Sequence, residues 1–204
     1  GEFEKGQRLP SERDLAARFE VSRPTIREAM IALEIAGAVE VRPGSGVYVT
    51  GQGAGFKSLL DSQDPGPFEI LEARMLLEGE ICALAAERIN DEQLARLQAL
   101  LDAMAYGGRE GEDAESADEA FHCLIAEASG NSALCGMVTW LWQLRNESEI
   151  STHFHRRVRE EGSRPIVSDH GRILAALKKG DAKSARRAMT AHLQRVIDQL
   201  LEVL

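Results

Sequence analysis

Asp118 and His122 lie one helical turn apart in the stretch SADEAFHCLIAEASGN, residues 116–131. Phe121 and Ile125 of the same stretch define an apolar stripe that should face a core, and the carboxylate and the imidazole lie close to that stripe. Burial of such groups is costly unless each has a partner. A bound cation would offset this cost, so the stretch raises the possibility of metal binding.

Three further helical patterns carry a polar residue on an apolar stripe: Arg74 in 67–89, His170 in 166–179 and His192 in 181–203. Four helices thus direct one carboxylate, three imidazoles and one guanidinium inward. Imidazole and carboxylate groups suit a borderline divalent ion, and metal sites in helix bundles are built from inward side chains on facing helices. We therefore predict a divalent metal site, with zinc as the first expectation and nickel or manganese as alternatives.

The helices that must position these residues follow a segment rich in Gly, Pro, Ser and Asp. Residues 51–66 are therefore predicted to be a linker, with a short helix near 56–60. Residues 67–204 are predicted to form an all-α bundle, with glycines between most of its helices. The predicted helices are 67–89, 91–106, 112–129, 132–150, 153–161, 166–179 and 181–203.

Residues 1–50 carry two helix patterns and a hairpin pattern. Ser11 and Ser22 are predicted N-caps, and Gly37 is a natural helix stop. The stretch VEVRPGSGVYV then alternates on both sides of a Pro-Gly-Ser-Gly turn, which predicts a β-hairpin. The predicted fold class is mostly α, with an N-terminal winged helix-turn-helix followed by the helical bundle.

The second helix of a winged helix-turn-helix enters the DNA major groove with its N-terminal end leading. Arginine forks there match guanine edges or phosphate oxygens, and glycines let a hairpin tip approach DNA closely. The predicted DNA-binding residues are Arg13, Ser22, Arg23, Thr25, Arg27, Gly44 and Gly46.

Composition limits the alternatives. The chain has 204 residues and a net charge of −9, which argues against a general nucleic-acid coat, although residues 1–50 are nearly neutral with 7 basic and 8 acidic side chains. It has no bilayer-spanning apolar run and no signal-peptide pattern. Cys82, Cys123 and Cys135 lack metal-type spacing, so we expect buried reduced thiols in a cytoplasmic protein.

The N-terminal motifs resemble a known family. The stretch RLPSERDLAARFEVSRPTIREAMIALEIAGAVEVRPGSGVYV is similar to the DNA-binding half of the GntR superfamily of bacterial transcription regulators. That family usually has one more helix before this stretch, and the sequence begins at what would be the end of that helix. The resemblance implies that double-stranded operator DNA is the partner.

The helical half resembles the FCD ligand-binding domain of one GntR branch, through Asp-x-x-x-His and two later histidines 22 residues apart. In metal-containing members the matching positions are ligands, which are here Asp118, His122, His170 and His192. The same resemblance assigns Arg74 to the effector pocket. The stretches ALEIAGAVEVRPGSGVYV and WLWQLRNESEI look most like regulators of hexuronate utilisation.

These observations predict a homodimeric repressor, not an enzyme, controlled by a small carboxylate or sugar acid at the metal site. Asn146 and its neighbour Arg145 are further effector-binding candidates, and His153 and His155 are expected on a solvated face. Of Trp140 and Trp142, which cannot share one helix face, one should pack in the core and the other face a partner or the pocket. The alternatives are a metallo-hydrolase-like helical domain and a regulator whose metal is purely structural.

Overall fold

The computed structural model describes residues 2–51, 65–106, 112–160 and 166–202. Over these residues the fold is mostly α-helical, with a winged helix-turn-helix at the N-terminus and a helical bundle after it, as predicted. Residues 52–64 lie outside the described part, so most of the predicted linker and its predicted short helix do too. In the described residues no helix is long and apolar enough to cross a membrane.

The helix-turn-helix consists of α1 (Glu12–Phe19) and α2 (Arg23–Ile35). Both predicted N-caps are confirmed, since the Ser11 and Ser22 hydroxyl oxygens each accept from the backbone N–H three residues on, at 3.2 Å. Glu20 ends α1 in the left-handed region with φ 57°. Leu15 and Ile26 pack between the two helices, so a small apolar cluster holds the motif together.

The wing consists of β1 (Val39–Arg42) and β2 (Gly46–Val49), which pair antiparallel with Val41 opposite Val47. Gly44 and Gly46 turn the chain with φ of 68° and 120°, values that L side chains rarely adopt. A Cβ on Gly46 would also lie only 2.6 Å from Nε of Arg8. These glycines are therefore needed for the shape of the wing itself, whatever it contacts.

Seven helices form the bundle in the described residues: α3 (Pro67–Ala86), α4 (Asp91–Tyr106), α5 (Glu112–Ala128), α6 (Ser132–Glu147), α7 (Glu149–Glu160), α8 (Val167–Lys178) and α9 (Ala182–Glu202). Their bounds differ from the predicted ones chiefly at α7, which begins four residues earlier than predicted. Ser148 is the reason, because it is extended (φ −60°, ψ 126°) and its hydroxyl oxygen accepts from the Ser151 N–H at 3.3 Å. It thus ends α6 and caps α7.

The long helix α3 lies at the centre of the bundle and packs closely against α9. A Cβ on Gly79 of α3 would lie 2.7 Å from Oγ1 of Thr190 on α9, so glycine sets the approach of these helices. Cys82 is fully buried on α3, while Cys123 and Cys135 are half-buried, and all three thiols are free, as expected.

The helix-turn-helix packs on the bundle through α2. Oε1 of Glu28 accepts from the backbone N–H groups of Phe68 and Glu69, at 2.8 and 3.2 Å, and so caps the N-terminus of α3. Glu34 forms a 2.6 Å ion pair with Arg157 of α7. Ile31 belongs to the same apolar core as the bundle helices, so α2 and the bundle share buried surface.

Candidate metal and effector site

Four side chains from α5, α8 and α9 meet inside the bundle. Each of Asp118, His122, His170 and His192 offers one possible ligand atom, and these atoms all lie within 4.8 Å of one another. The three imidazoles are buried, with exposed fractions of 2% or less. The rings of His170 and His192 are closest, with centroids 4.4 Å apart. The sequence predicted this convergence from helical spacing, and the geometry is compatible with one ion.

The chemistry of the donor atoms also fits a cation. Oδ1 of Asp118 lies 2.7 Å from Nε2 of His170 and 3.6 Å from Nε2 of His122, yet none of these atoms has hydrogen-bond geometry. They are buried polar atoms that make no hydrogen bond within the described residues, which is costly and uncommon. A carboxylate oxygen and two ring nitrogens with this arrangement are what a divalent ion would join.

The other ring nitrogens of two imidazoles have partners. Nδ1 of His122 contacts Oε2 of Glu78 in a short hydrogen bond, and Nδ1 of His170 lies 3.1 Å from the carbonyl oxygen of Ile166. An N–H donated from Nδ1 leaves the Nε2 lone pair free to bind a metal ion. Both imidazoles are therefore oriented, and given the required tautomer, by neighbours outside the cluster.

Asp169 lies beside the third imidazole, beyond hydrogen-bond distance of it. Its carboxylate is buried, lies 3.7 Å from Nδ1 of His192, and accepts a 2.6 Å hydrogen bond from Nε of Arg195. Arg172 pairs with the other carboxylate oxygen. Sequence reasoning missed Asp169, although its position directly before His170, in a mostly apolar helix, was a usable signal.

Electrostatics in the cluster favour added positive charge. Burial opposes ionisation of Asp118, but the imidazoles of His122 and His170 outweigh it and hold the pKa of Asp118 well below its usual value. Burial likewise opposes ionisation of Glu78, yet Arg74 and His122 lower its pKa to about 2. Burial opposes protonation of His122, but Glu78 and Asp118 outweigh it and raise the pKa of His122 above its ordinary value. The two carboxylates thus attract positive charge, which a proton on His122 or a divalent cation would supply.

A cavity opens beside the cluster. Its walls carry two guanidiniums, Arg74 and Arg145, together with Asp118 and His192. Nε of Arg74 donates to Oε1 of Glu78 at 2.6 Å, so the partner that a buried guanidinium requires lies within the protein. Arg74 therefore does not by itself demand an anionic ligand, and its link to an effector comes from its place on the cavity wall.

The structure separates the other candidates. Asn146 does not line the cavity, because it is exposed on the surface of α6 and donates to Glu119 at 3.1 Å. Its prediction as an effector contact therefore loses support, whereas the prediction for Arg145 keeps its support.

The solvated face expected for His153 and His155 is wrong. His155 is 8% exposed and lines the cavity, and His153 is half-buried 3.5 Å from Glu34. The Phe154–Val158 stripe, four residues apart, was the signal that this face is inward.

The predicted DNA-binding residues fall into two groups. Arg13, Ser22, Arg23, Thr25 and Gly44 are exposed around α2 and the wing, and Gly46 is half-buried. Ser22 uses its hydroxyl oxygen to cap α2, so it already has a structural role. Arg27 is only 3% exposed and contacts Glu12 and the end of α9. A DNA contact by Arg27 would thus require a change in its surroundings.

Comparison with known proteins identifies the family. Residues 1–49 match the bacterial regulatory proteins of the gntR family, and residues 69–195 match the FCD domain. The chain belongs to the GntR family, FCD branch. It is therefore a DNA-binding transcriptional regulator with an effector-binding domain, and members of this family are regulators, not enzymes.

Relatives of this GntR-family regulator match it over almost its whole length. The Uxu operon transcriptional regulator of Escherichia coli K12 is 39% identical over 207 residues, covering 98% of this chain and 80% of the relative. The Uxu operon regulator of Haemophilus influenzae is 37% identical over 205 residues, covering 100% and 77%. A solved GntR structure from Streptococcus agalactiae is 31% identical, with a TM-score of 0.53 over 96% of this chain and 91% of that one.

Proposed function

We propose that this GntR-family regulator binds operator DNA as a homodimer and that a small acid, bound beside a metal ion in the bundle, controls its DNA affinity. The observation that carries this proposal is the convergence of one carboxylate and three buried imidazoles at the edge of an arginine-lined cavity. We also propose that the DNA-binding domain spans residues 1–50, the linker 51–66 and the helical domain 67–204. The proposed location of the protein is the cytoplasm.

Asp118, His122, His170 and His192 would hold the ion. Three imidazoles and one carboxylate suit zinc, and nickel or manganese also accept this set. The ion would act as a Lewis acid that receives an oxygen of the effector. Four protein ligands leave two positions of a six-coordinate ion for that effector.

The cavity favours a compact anion. Its volume is about 80 Å³, well below the roughly 300–1,000 Å³ of sites for drug-sized ligands. Arg74 and Arg145 lie on its wall and would pair with a carboxylate, which guanidinium groups bind in a planar, bidentate way. The relatives named for the Uxu operon and the resemblance to hexuronate regulators support a hexuronate as the acid.

Operator recognition would use the exposed N-terminal end of α2 and the wing. Arg13, Arg23 and Thr25 would contact base edges or phosphates. Ser22, which caps α2, would lie at the major groove with the helix end that it caps. Gly44 and Gly46 would bring the tip of the wing close to DNA. Two copies related by a twofold axis would present two recognition helices to a palindromic site. Repression is the mode of regulation that we propose.

The second copy would dock on α3 and α6. Leu76, Met137 and Trp140 are exposed large apolar side chains on these packed helices, with exposed fractions of 69%, 48% and 57%. Trp140 and Ala73 line a shallow groove between the helices. Trp142, two residues on, is buried, so the two tryptophans divide between surface and core as predicted.

Metal removal tests this proposal. In a thermal-shift screen, glucuronate or galacturonate should raise Tm of the zinc-loaded protein, and a chelator should abolish the shift. His192→Ala should lower the zinc content and remove the shift, whereas His153→Ala, which also loses one imidazole, should keep both.

Full zinc content in His192→Ala would show that His192 is not a zinc ligand. If neither acid shifted Tm of the zinc-loaded protein, a regulator with a purely structural metal would be favoured. Hydrolytic turnover that was lost in Asp118→Ala would favour the metallo-hydrolase-like alternative.

A further inference from the structure

The position of Arg27 conflicts with its predicted role on DNA. Its Nε and one terminal nitrogen donate to the two carboxylate oxygens of Glu12, at 2.7 and 2.6 Å. Its other terminal nitrogen donates to the carbonyl oxygen of Leu200 at 2.6 Å. Each of the three guanidinium nitrogens thus donates to an internal acceptor, and the side chain is 4% exposed. A phosphate cannot reach it in this arrangement.

The acceptor on the bundle side is the last turn of α9. A backbone carbonyl oxygen has two lone pairs, so it can accept from a side chain whatever its role in the helix. Arg27 binds the carbonyl oxygen of Leu200, and Arg23 lies 3.4 Å from that of Leu201. The last turn of α9 therefore offers arginines of the recognition helix the same kind of acceptor that a DNA phosphate would offer.

Leu200 also faces the cavity. Its side chain is 4% exposed and lines the wall with Gln199, Arg74 and His192. His192 lies two turns earlier on the same helix, about 12 Å along its axis. One residue thus contacts the effector cavity with its side chain and the recognition helix with its carbonyl oxygen.

We propose that the last turn of α9 is an intramolecular latch that competes with DNA for Arg27, and that an acid in the cavity favours the latched form. This inference rests on the proposed effector site. In the latched form Arg27 binds the end of α9, and Gln199 and Leu200 line the cavity. An acid between Arg74 and α9 touches both sides of the cavity only in that form, so it binds the latched form better. DNA binds the unlatched form, so acid and DNA weaken each other's binding by the same factor.

Weakening the latch without touching a DNA contact is the first test. Glu12→Gln removes the charge that holds Arg27, and Glu20→Gln, at the end of α1, removes an equal charge outside the latch. Affinity for a random 30-base-pair duplex, measured by fluorescence anisotropy, should rise roughly tenfold more in Glu12→Gln than in Glu20→Gln. The DNA affinity of Glu12→Gln should also fall more steeply with salt concentration, by the amount expected for about one additional phosphate contact per chain. Equal behaviour of the two variants would overturn the latch.

Effector coupling is the second test, with glucuronate and zinc as probes. The acid should weaken duplex binding of the unmodified protein. Arg27→Ala and Arg13→Ala should both bind DNA less tightly, but only Arg27→Ala should lose the response to acid, while the acid-dependent Tm shift persists in both. Loss of response in neither variant would overturn the coupling. If the acid gave no Tm shift in the unmodified protein, the proposed effector would fail, and the Glu12→Gln result would still decide the latch.

Discussion

At the scale of single residues, the orientation of two imidazoles depends on hydrogen-bond acceptors outside the proposed set of metal ligands. Glu78 is the most connected of these, because one oxygen binds Nδ1 of His122 and the other accepts from Nε of Arg74 at 2.6 Å. One carboxylate therefore fixes both a proposed metal ligand and the guanidinium on the cavity wall.

Glu78→Gln should lower metal affinity. The amide keeps the size of the side chain but carries no charge and cannot accept from both neighbours equally well. Loss of such a supporting group typically costs 10–100-fold in metal affinity, so we expect roughly that factor for zinc in a chelator-competition titration. Glu80→Gln, an exposed glutamate paired with Arg186, is the matched control and should bind zinc normally. Equal zinc affinity in both variants would contradict the role of Glu78.

The four converging residues could be predicted from sequence because helical spacing says which side chains point inward. Asp118 and His122 are four apart, and each later histidine lies on an apolar stripe. The place of Asp169 beside His192 and the burial of His155 left weaker signals, namely a carboxylate in a mostly apolar helix and the Phe154–Val158 stripe. Both positions depend on how α8 turns toward α9 and where α7 begins, and Ser148 sets the latter through a cap that the spacing did not reveal.

At the scale of elements, the distance between α3 and α9 controls the cluster. Gly79 directly follows Glu78, and Thr190 precedes His192 by two residues. The close approach at Gly79 therefore lies level with the proposed metal ligands, and any side chain there would separate the helices that carry Arg74 and His192.

Gly79→Ala should destabilise the protein. The added methyl group would lie 2.7 Å from Oγ1 of Thr190, and overpacking of this kind costs about 1–3 kcal/mol. The same change at Gly136 of α6, which has no neighbour within 4 Å, should instead stabilise by up to about 1 kcal/mol through helix propensity. Urea unfolding of both variants measures the difference. Equal free energies of unfolding would show that the helices are not held this close.

At the scale of the whole molecule, the recognition helix is part of the bundle's packing. Glu28 caps α3, Glu34 pairs with Arg157, and Arg27 binds the end of α9. The two helix-turn-helix caps and the hairpin of the wing could be predicted locally. The contact between Arg27 and Leu200 could not, because the two residues are 173 positions apart and no local pattern links them.

Trp140→Glu should disrupt the proposed dimer, because it places a charge in the apolar face on α3 and α6. Sedimentation at micromolar concentration should show twice the chain mass of 22.4 kDa for the unmodified protein and the single mass for the variant. Tyr106→Glu, a matched change at an 86% exposed aromatic on α4, should remain dimeric. A dimeric Trp140→Glu variant would place the interface elsewhere.

Trp142 gives this regulator an internal optical reporter. Its buried ring lies beneath the guanidiniums of Arg74 and Arg145, at 4.0 and 5.1 Å from the ring centroid, and 5.6 Å from the ring of His122. Indole emission responds to charges this close, so a small acid or a metal ion that binds beside these groups should change the fluorescence of Trp142 without any attached dye. Replacing Trp140 with phenylalanine leaves Trp142 as the sole tryptophan, so occupancy of the interior can be followed by fluorescence alone.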